Sequence, residues 1–185
     1  SFITAFLSSG LLFGQKNYRT LVYEGNEKFN GKDYDGASAK YMEAIKSNDK
    51  DFAAHYNLGN ALYKSKKYEE AKVEFEKAQR LSQTIPDKAA ALHNLGNAYM
   101  QMKQPEKAAE FYKQSLKQNP YSEATRKNYE IAKLKEKENQ QKKQQQNNRN
   151  KQPKQQPKQQ QQKQLTKTQN KQPNKQQQQQ QQKTT

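Results

Sequence analysis

Tyr56-Asn57-Leu58-Gly59-Asn60-Ala61-Leu62 returns as His93-Asn94-Leu95-Gly96-Asn97-Ala98-Tyr99. The echo continues downstream, where Tyr68-Glu69-Glu70-Ala71 followed by Phe75 is answered by Pro105-Glu106-Lys107-Ala108 followed by Tyr112. One period earlier, Tyr23-Glu24-Gly25-Asn26 with Ala37, Tyr41 and Ala44 forms a weaker third copy. Gly25 and Gly59 are 34 residues apart, and Gly59 and Gly96 are 37 apart. A period of this length marks a stacked array, in which each unit buries its apolar face only against its neighbours.

With each glycine set at position 8 of its unit, Leu58 and Leu95 share position 7. Ala37, Ala71 and Ala108 share position 20, and Tyr41, Phe75 and Tyr112 share position 24. Pro120 closes the third unit at position 32. These linked positions resemble the tetratricopeptide repeat, a helix–turn–helix of 34 residues. The resemblance implies an all-α solenoid of three repeats with a capping helix and a disordered tail. The repeats fall at about 18–51, 52–85 and 89–120, within 18–120. Six helices are expected near 18–30, 34–47, 52–64, 68–81, 87–101 and 105–117, with Thr84-Ile85-Pro86 in a lengthened second junction. A glycine inside a helix costs about 1 kcal/mol relative to alanine, so the recurrent one is read as a close approach of two helices.

After Pro120 a capping helix over 121–138 is expected, with Ser122 as its N-cap. Tyr121, Ala124, Ile131 and Leu134 supply its apolar stripe, which would cover the open edge of repeat three. From Asn139 to Thr185 the composition collapses to Gln, Lys, Asn, Pro and Thr with few exceptions. Such a stretch cannot offset its ordering entropy, so 139–185 is read as a disordered tail whose start, before Pro153, could extend the cap. All 18 acidic residues lie before Asn139, while 11 of the 34 basic ones lie after it. The net charge of +16 is therefore mostly a property of the tail.

At the other end, Phe2-Ile3-Thr4-Ala5-Phe6-Leu7 through Gly14 is an apolar segment followed by Gln15-Lys16-Asn17. It is too short to span a bilayer. Residues 1–14 fit the apolar region of a secretory signal peptide whose start is truncated; the alternatives are an uncleaved leader acting as an anchor and an apolar N-terminal helix capping repeat one. The expected location is the periplasm or cell envelope.

Catalysis has no support in the sequence. There is no cysteine and no glycine loop to cradle phosphate. The carboxylate pair Glu69-Glu70 lies on a second helix beside lysines, as a solvated face does. No catalytic residue, cofactor or metal is expected: His55 and His93 are the only histidines, and zinc sites take three or four protein ligands.

The asparagines carry the functional expectation. Asn57 and Asn94 share position 6, and Asn26, Asn60 and Asn97 share position 9. The resemblance implies that first helices line a concave groove, with positions 2, 5, 6, 9, 12 and 13 holding an extended peptide. An amide offers both donor and acceptor and so grips a backbone regardless of sequence; hydrogen bonding between neighbouring units is the competing use. Tyr56, Tyr63 and His93 add apolar contact, with Phe29 and Met100 nearby. Family members that capture a C-terminal carboxylate carry basic residues where this chain has Val22, Ala90 and Asn94, so that clamp is absent.

An apolar leader, a few repeats and a Lys/Gln tail also resemble the BatC-like proteins of the Bat (aerotolerance) group. That resemblance implies a non-enzymatic scaffold partnered by envelope proteins with von Willebrand A-type domains. The alternative is polyanion binding through the tail. With no aromatic after Asn139, specific single-strand nucleic-acid binding lacks its stacking platform, and weak contact with an anionic membrane surface is the expected form.

Overall fold

A computed structural model describes residues 6–151. Seven helices follow one another: α1 (Phe6–Asn30), α2 (Tyr34–Ser47), α3 (Phe52–Lys64), α4 (Tyr68–Leu81), α5 (Ile85–Gln101), α6 (Pro105–Gln118) and α7 (Glu123–Lys151). The described residues contain no strand. Each helix packs on the next from α1 to α6, and α3 also touches α5 directly. Side-chain bonds join α1 to α3 and α5 to the start of α7 as well, so these first helices stand side by side, as the expected all-α solenoid requires.

The packing shows why glycine recurs. A Cβ added at Gly25 would lie 2.5 Å from the Tyr41 ring, and one at Gly59 would lie 2.6 Å from the Phe75 ring. Gly96 faces Tyr112 in the same way. Each ring is buried and flanked by a fully buried alanine, Ala37, Ala71 or Ala108, one turn earlier on its own helix. Position 8 is thus small because position 24 is large. The core runs as one cluster through these rings, Leu58, Leu62, Leu92, Leu95 and Tyr99, and ends on Ala132 of α7.

The turns within repeats are identical in kind. Lys32, Lys66 and Lys103 take φ of 63°, 62° and 59°, the left-handed region. The next residue's N–H then reaches back to a carbonyl in the last turn: Asp33 to Lys28, Lys67 to Leu62 and Gln104 to Tyr99, each at 2.9 Å. This closes the helix in a Schellman motif, which glycine would adopt at lower cost.

Three boundaries differ from expectation. Helix α1 starts at Phe6 rather than near 18; of the proposed leader, residues 1–5 lie outside the described residues. Helix α5 starts at Ile85, because the Thr84 side chain caps it by accepting from Asp87 N–H at 3.2 Å and Pro86 fits the first turn. Helix α7 continues to Lys151, so 139–151, placed at the start of the tail, takes the helical extension that the run before Pro153 allowed. Gln and Lys are good helix formers, and a docked stub removes the cost of nucleation, leaving propagation alone. The remainder of the tail, 152–185, lies outside the described residues.

Candidate functional site

The expected groove residues sit on α1, α3 and α5, and the structure shows what they touch. Asn94 Nδ2 donates to Asn60 Oδ1 at 2.9 Å and to the Tyr56 hydroxyl at 3.1 Å. Asn57 Nδ2 donates to Asn26 Oδ1 at 3.4 Å. Asn128 Nδ2, on α7, donates to Asn97 Oδ1 at 3.1 Å. In each case the position-9 carbonyl of one unit accepts from the position-6 amide of the next. The asparagines therefore form a relay across all three seams of the stack.

Tyrosines at position 24 fix the direction of two of these amides. The Tyr41 hydroxyl donates to Asn26 Oδ1 at 2.7 Å, and the Tyr112 hydroxyl donates to Asn97 Oδ1 at 2.8 Å. Burial pushes the Tyr41 phenol up to about 12 and Tyr112 further in the same direction. Both stay protonated and here act as donors, with each asparagine carbonyl turned towards the ring. Repeat two has Phe75 there, and the Asn60 carbonyl is served by Asn94 alone.

The relay is not uniform in what it leaves open. Asn94 and Asn97 are engaged at both ends, since Asn97 Nδ2 also donates to Asn94 Oδ1 at 3.3 Å. Asn26 uses only its carbonyl and is exposed, and Asn57 uses only its amine, over a long bond. Free amide capacity is concentrated where repeats one and two meet. A cavity of about 220 Å³ lies there, lined by Asn26, Phe29, Asn30, Tyr41, Asn57 and Asn60.

The other candidate residues fall into two places. Tyr63 is half-buried and packs edge-on against Tyr68, with centroids 5.3 Å apart. At its position in the neighbouring units stand Phe29, Met100 and Leu134, an apolar row parallel to the relay. Tyr56 stacks on Phe52 at 5.2 Å. His93 reaches across to α7, where its Nδ1 lies 2.8 Å from Thr125 Oγ1, and burial holds its imidazole below the ordinary value. Thr125 is in turn tied to Ser122, whose Oγ caps α7 by accepting from Thr125 N–H at 3.3 Å. None of the groove positions on the four first helices is acidic, whereas Arg19, Lys64, Lys127 and Lys135 are basic.

His55, by contrast, is buried away from this face. Its Nδ1 lies 2.6 Å from Glu74 Oε2 and its Nε2 lies 2.9 Å from the Asp49 carbonyl. Among the described residues no group of three His, Cys, Asp or Glu side chains is arranged to hold a metal. Among the same residues no helix is long and apolar enough to cross a membrane.

Sequence reasoning missed Asn128 and Thr125. Asn128 stands 34 residues after Asn94, so extending the period past Pro120 would have found it. Helix α7 is in effect the first helix of a fourth unit, with Tyr129 at position 7 and Ala132 at position 10.

Successive paired helices with side-by-side first helices define a helical-repeat solenoid with an inner face. Two family models agree on its kind: one described as tetratricopeptide repeat matches residues 51–119, and one described as TPR repeat matches residues 25–66. Between them they run from 25 to 119, about half of the chain, and the chain is a tetratricopeptide-repeat protein. It is 33% identical over 85 residues to the type IV pilus assembly protein PilF of Pseudomonas aeruginosa, spanning 45% of this chain and 32% of that one. Less than a third of that relative's length is thus matched. Among solved structures, the Sgt2 TPR domain of Aspergillus fumigatus is similar with a TM-score of 0.61 and 25% identity, over 67% of this chain and 82% of that one. The second TPR domain of human RPAP3, solved in complex with an HSP70 peptide, is similar with a TM-score of 0.60 and 20% identity, over 65% and 98%.

Proposed function

We propose that the protein is an adaptor without chemistry of its own, holding an extended segment of another protein on its inner face. The observation that carries this is the pair of parallel rows on that face. Asparagine amides with free capacity at Asn26 and Asn57 run beside Phe29, Tyr63 and Met100, with no acidic residue between them. Amides bind backbone and the apolar row takes side chains, the division of labour of extended-peptide sites. The RPAP3 domain, solved with a peptide, supports the reading through its shared fold. Without basic residues at Val22, Ala90 and Asn94, the segment is gripped along its length rather than by a terminal carboxylate.

The reading is tested with a photo-crosslinking amino acid placed at Tyr63 on the inner face or at the exposed Met42 on a second helix. In the native host, a partner should crosslink from Tyr63 and not from Met42. Equal capture from both sites sinks the groove.

We further propose that the protein works outside the cytoplasm as a member of the BatC-like group, beside envelope proteins with von Willebrand A-type domains. The apolar stretch over 2–14 and the likeness to a pilus assembly protein support this. Mass spectrometry of the envelope fraction should find a mature N-terminus near Gln15. A second reading, polyanion attachment, is favoured by Lys142, Lys143, Arg149 and Lys151, all exposed on the end of α7 with no acidic residue among them. Deleting 142–185 should abolish salt-sensitive binding to anionic vesicles.

A further inference from the structure

A second cavity, of about 270 Å³, opens where α3, α5, α6 and α7 converge. Its walls include Tyr56, Ala90, His93, Asn94, Ala124 and Thr125. It exists because position 2 is alanine in two successive units, so no long side chain from Ala90 or Ala124 fills the gap between the helix starts. Its size is below the roughly 300–1,000 Å³ of small-molecule pockets, and suits one amino-acid side chain. No Asp, Glu, Lys or Arg lines it. The alanines make most of the wall apolar, while the Tyr56 hydroxyl, the His93 ring and the Thr125 hydroxyl stand at its polar side.

We propose that this cavity is a specificity pocket of the groove, taking one uncharged side chain with an apolar body and a hydrogen-bonding tip from the bound segment. The inference rests on the inner-face reading above. A charged side chain entering it would lose hydration and find no opposite charge, a large penalty. An uncharged tip of the tyrosine, threonine or glutamine kind would meet hydroxyl and imidazole partners that act as donor or acceptor by rotation or tautomer. Burial keeps His93 neutral, so it adds no positive charge to attract a carboxylate. Two of the wall's polar groups, Tyr56 and Asn94, also belong to the asparagine relay. The pocket's shape is therefore set by the seam between repeats two and three and by the docking of α7.

The probe is a phage-displayed library of random twelve-residue peptides, selected on the full chain. Enriched peptides are synthesised and titrated against the wild type, Ala90→Leu and Ala124→Asp, with circular dichroism confirming that each variant folds. Ala90→Leu should weaken binding at least tenfold. The loss should vanish for a peptide truncated to alanine at the anchoring position, which a double-mutant cycle identifies. Reselection on Ala124→Asp should shift that position from uncharged residues to Lys or Arg. Tyr63→Ala with Asn57→Ala separates the two ideas. If that pair weakens binding while Ala90→Leu does not, or if the wild type enriches charged residues at the anchor, the pocket assignment is overturned and the groove stands. If the pair leaves affinity unchanged, or no peptide is enriched, both fall.

Discussion

Asn94 Nδ2 donates to Asn60 Oδ1 at 2.9 Å, joining two side chains 34 residues apart across the seam between repeats two and three. Their matched positions leave two uses open in the sequence, gripping a ligand or bonding between neighbouring units. The bond makes them structural as well, and it separates residues whose loss should cost stability from residues whose loss should cost binding.

Asn94→Ala removes bonds to Asn60, Tyr56 and Asn97 and leaves all three partners half-buried. At about 0.5–1.5 kcal/mol for each net hydrogen bond, it should lower the urea midpoint clearly. Asn57→Ala breaks one bond of 3.4 Å at an open seam and should leave the midpoint almost unchanged. Equal effects of the two substitutions would show that the relay does not couple the repeats.

Gly59→Ala sets two effects against each other. Alanine gains about 1 kcal/mol in helix propensity, but its Cβ would lie 2.6 Å from the buried Phe75 ring. Overpacking of this kind costs about 1–3 kcal/mol, so the variant should melt lower than the wild type. Phe75→Leu in the same chain should recover part of the loss. A higher melting temperature for the single variant would mean that the ring moves aside freely.

Lys66 and Lys103 hold φ near 60° in the turns within repeats two and three. Left-handed backbone strains an L side chain, whereas glycine takes it freely. Set against the extra freedom of glycine in the unfolded chain, Lys103→Gly should still stabilise by about 0.5–1 kcal/mol. A thermal melt checks it, with a lowered midpoint counting against the Schellman turn.

Burial holds the His93 imidazole below its ordinary value, so the fold favours the neutral ring. The unfolded chain takes up a proton as pH falls through about 6.5, and the folded chain does so only lower down. The stability tied to neutral His93 is therefore complete above that pH and lost as pH drops below it, at no more than about 1.4 kcal/mol per unit. Denaturant titrations at pH 7.5 and 5.5 should show a smaller decrease for His93→Gln than for the wild type. Identical decreases would remove His93 from the acid response.

The repeat architecture was legible because glycine, alanine and aromatic recur together at linked positions, and each residue type answers a packing demand set by the other two. The helix ends near Asn30, Ser47 and Lys64 followed for the same reason. The extent of α7 was legible only as an allowance for extension before Pro153, since Gln and Lys runs read as tail until a docked stub is there to propagate from. The site was half legible. Spacing alone put the asparagines on one face, but whether an amide serves a neighbour or a ligand depends on distances that no pattern encodes. Tyr41 and Tyr112 decide two of those cases with hydroxyls that Phe75 lacks.

The relay also has a sense of direction, from the carbonyl of one unit to the amine of the following one, and repeats two and three each carry both connectors. A copy inserted by gene duplication arrives with a matching plug at one end and a matching socket at the other. Growth by tandem duplication then stops where the pattern stops. At the glycine position of α7 stands Glu130, too bulky for a second helix to close against.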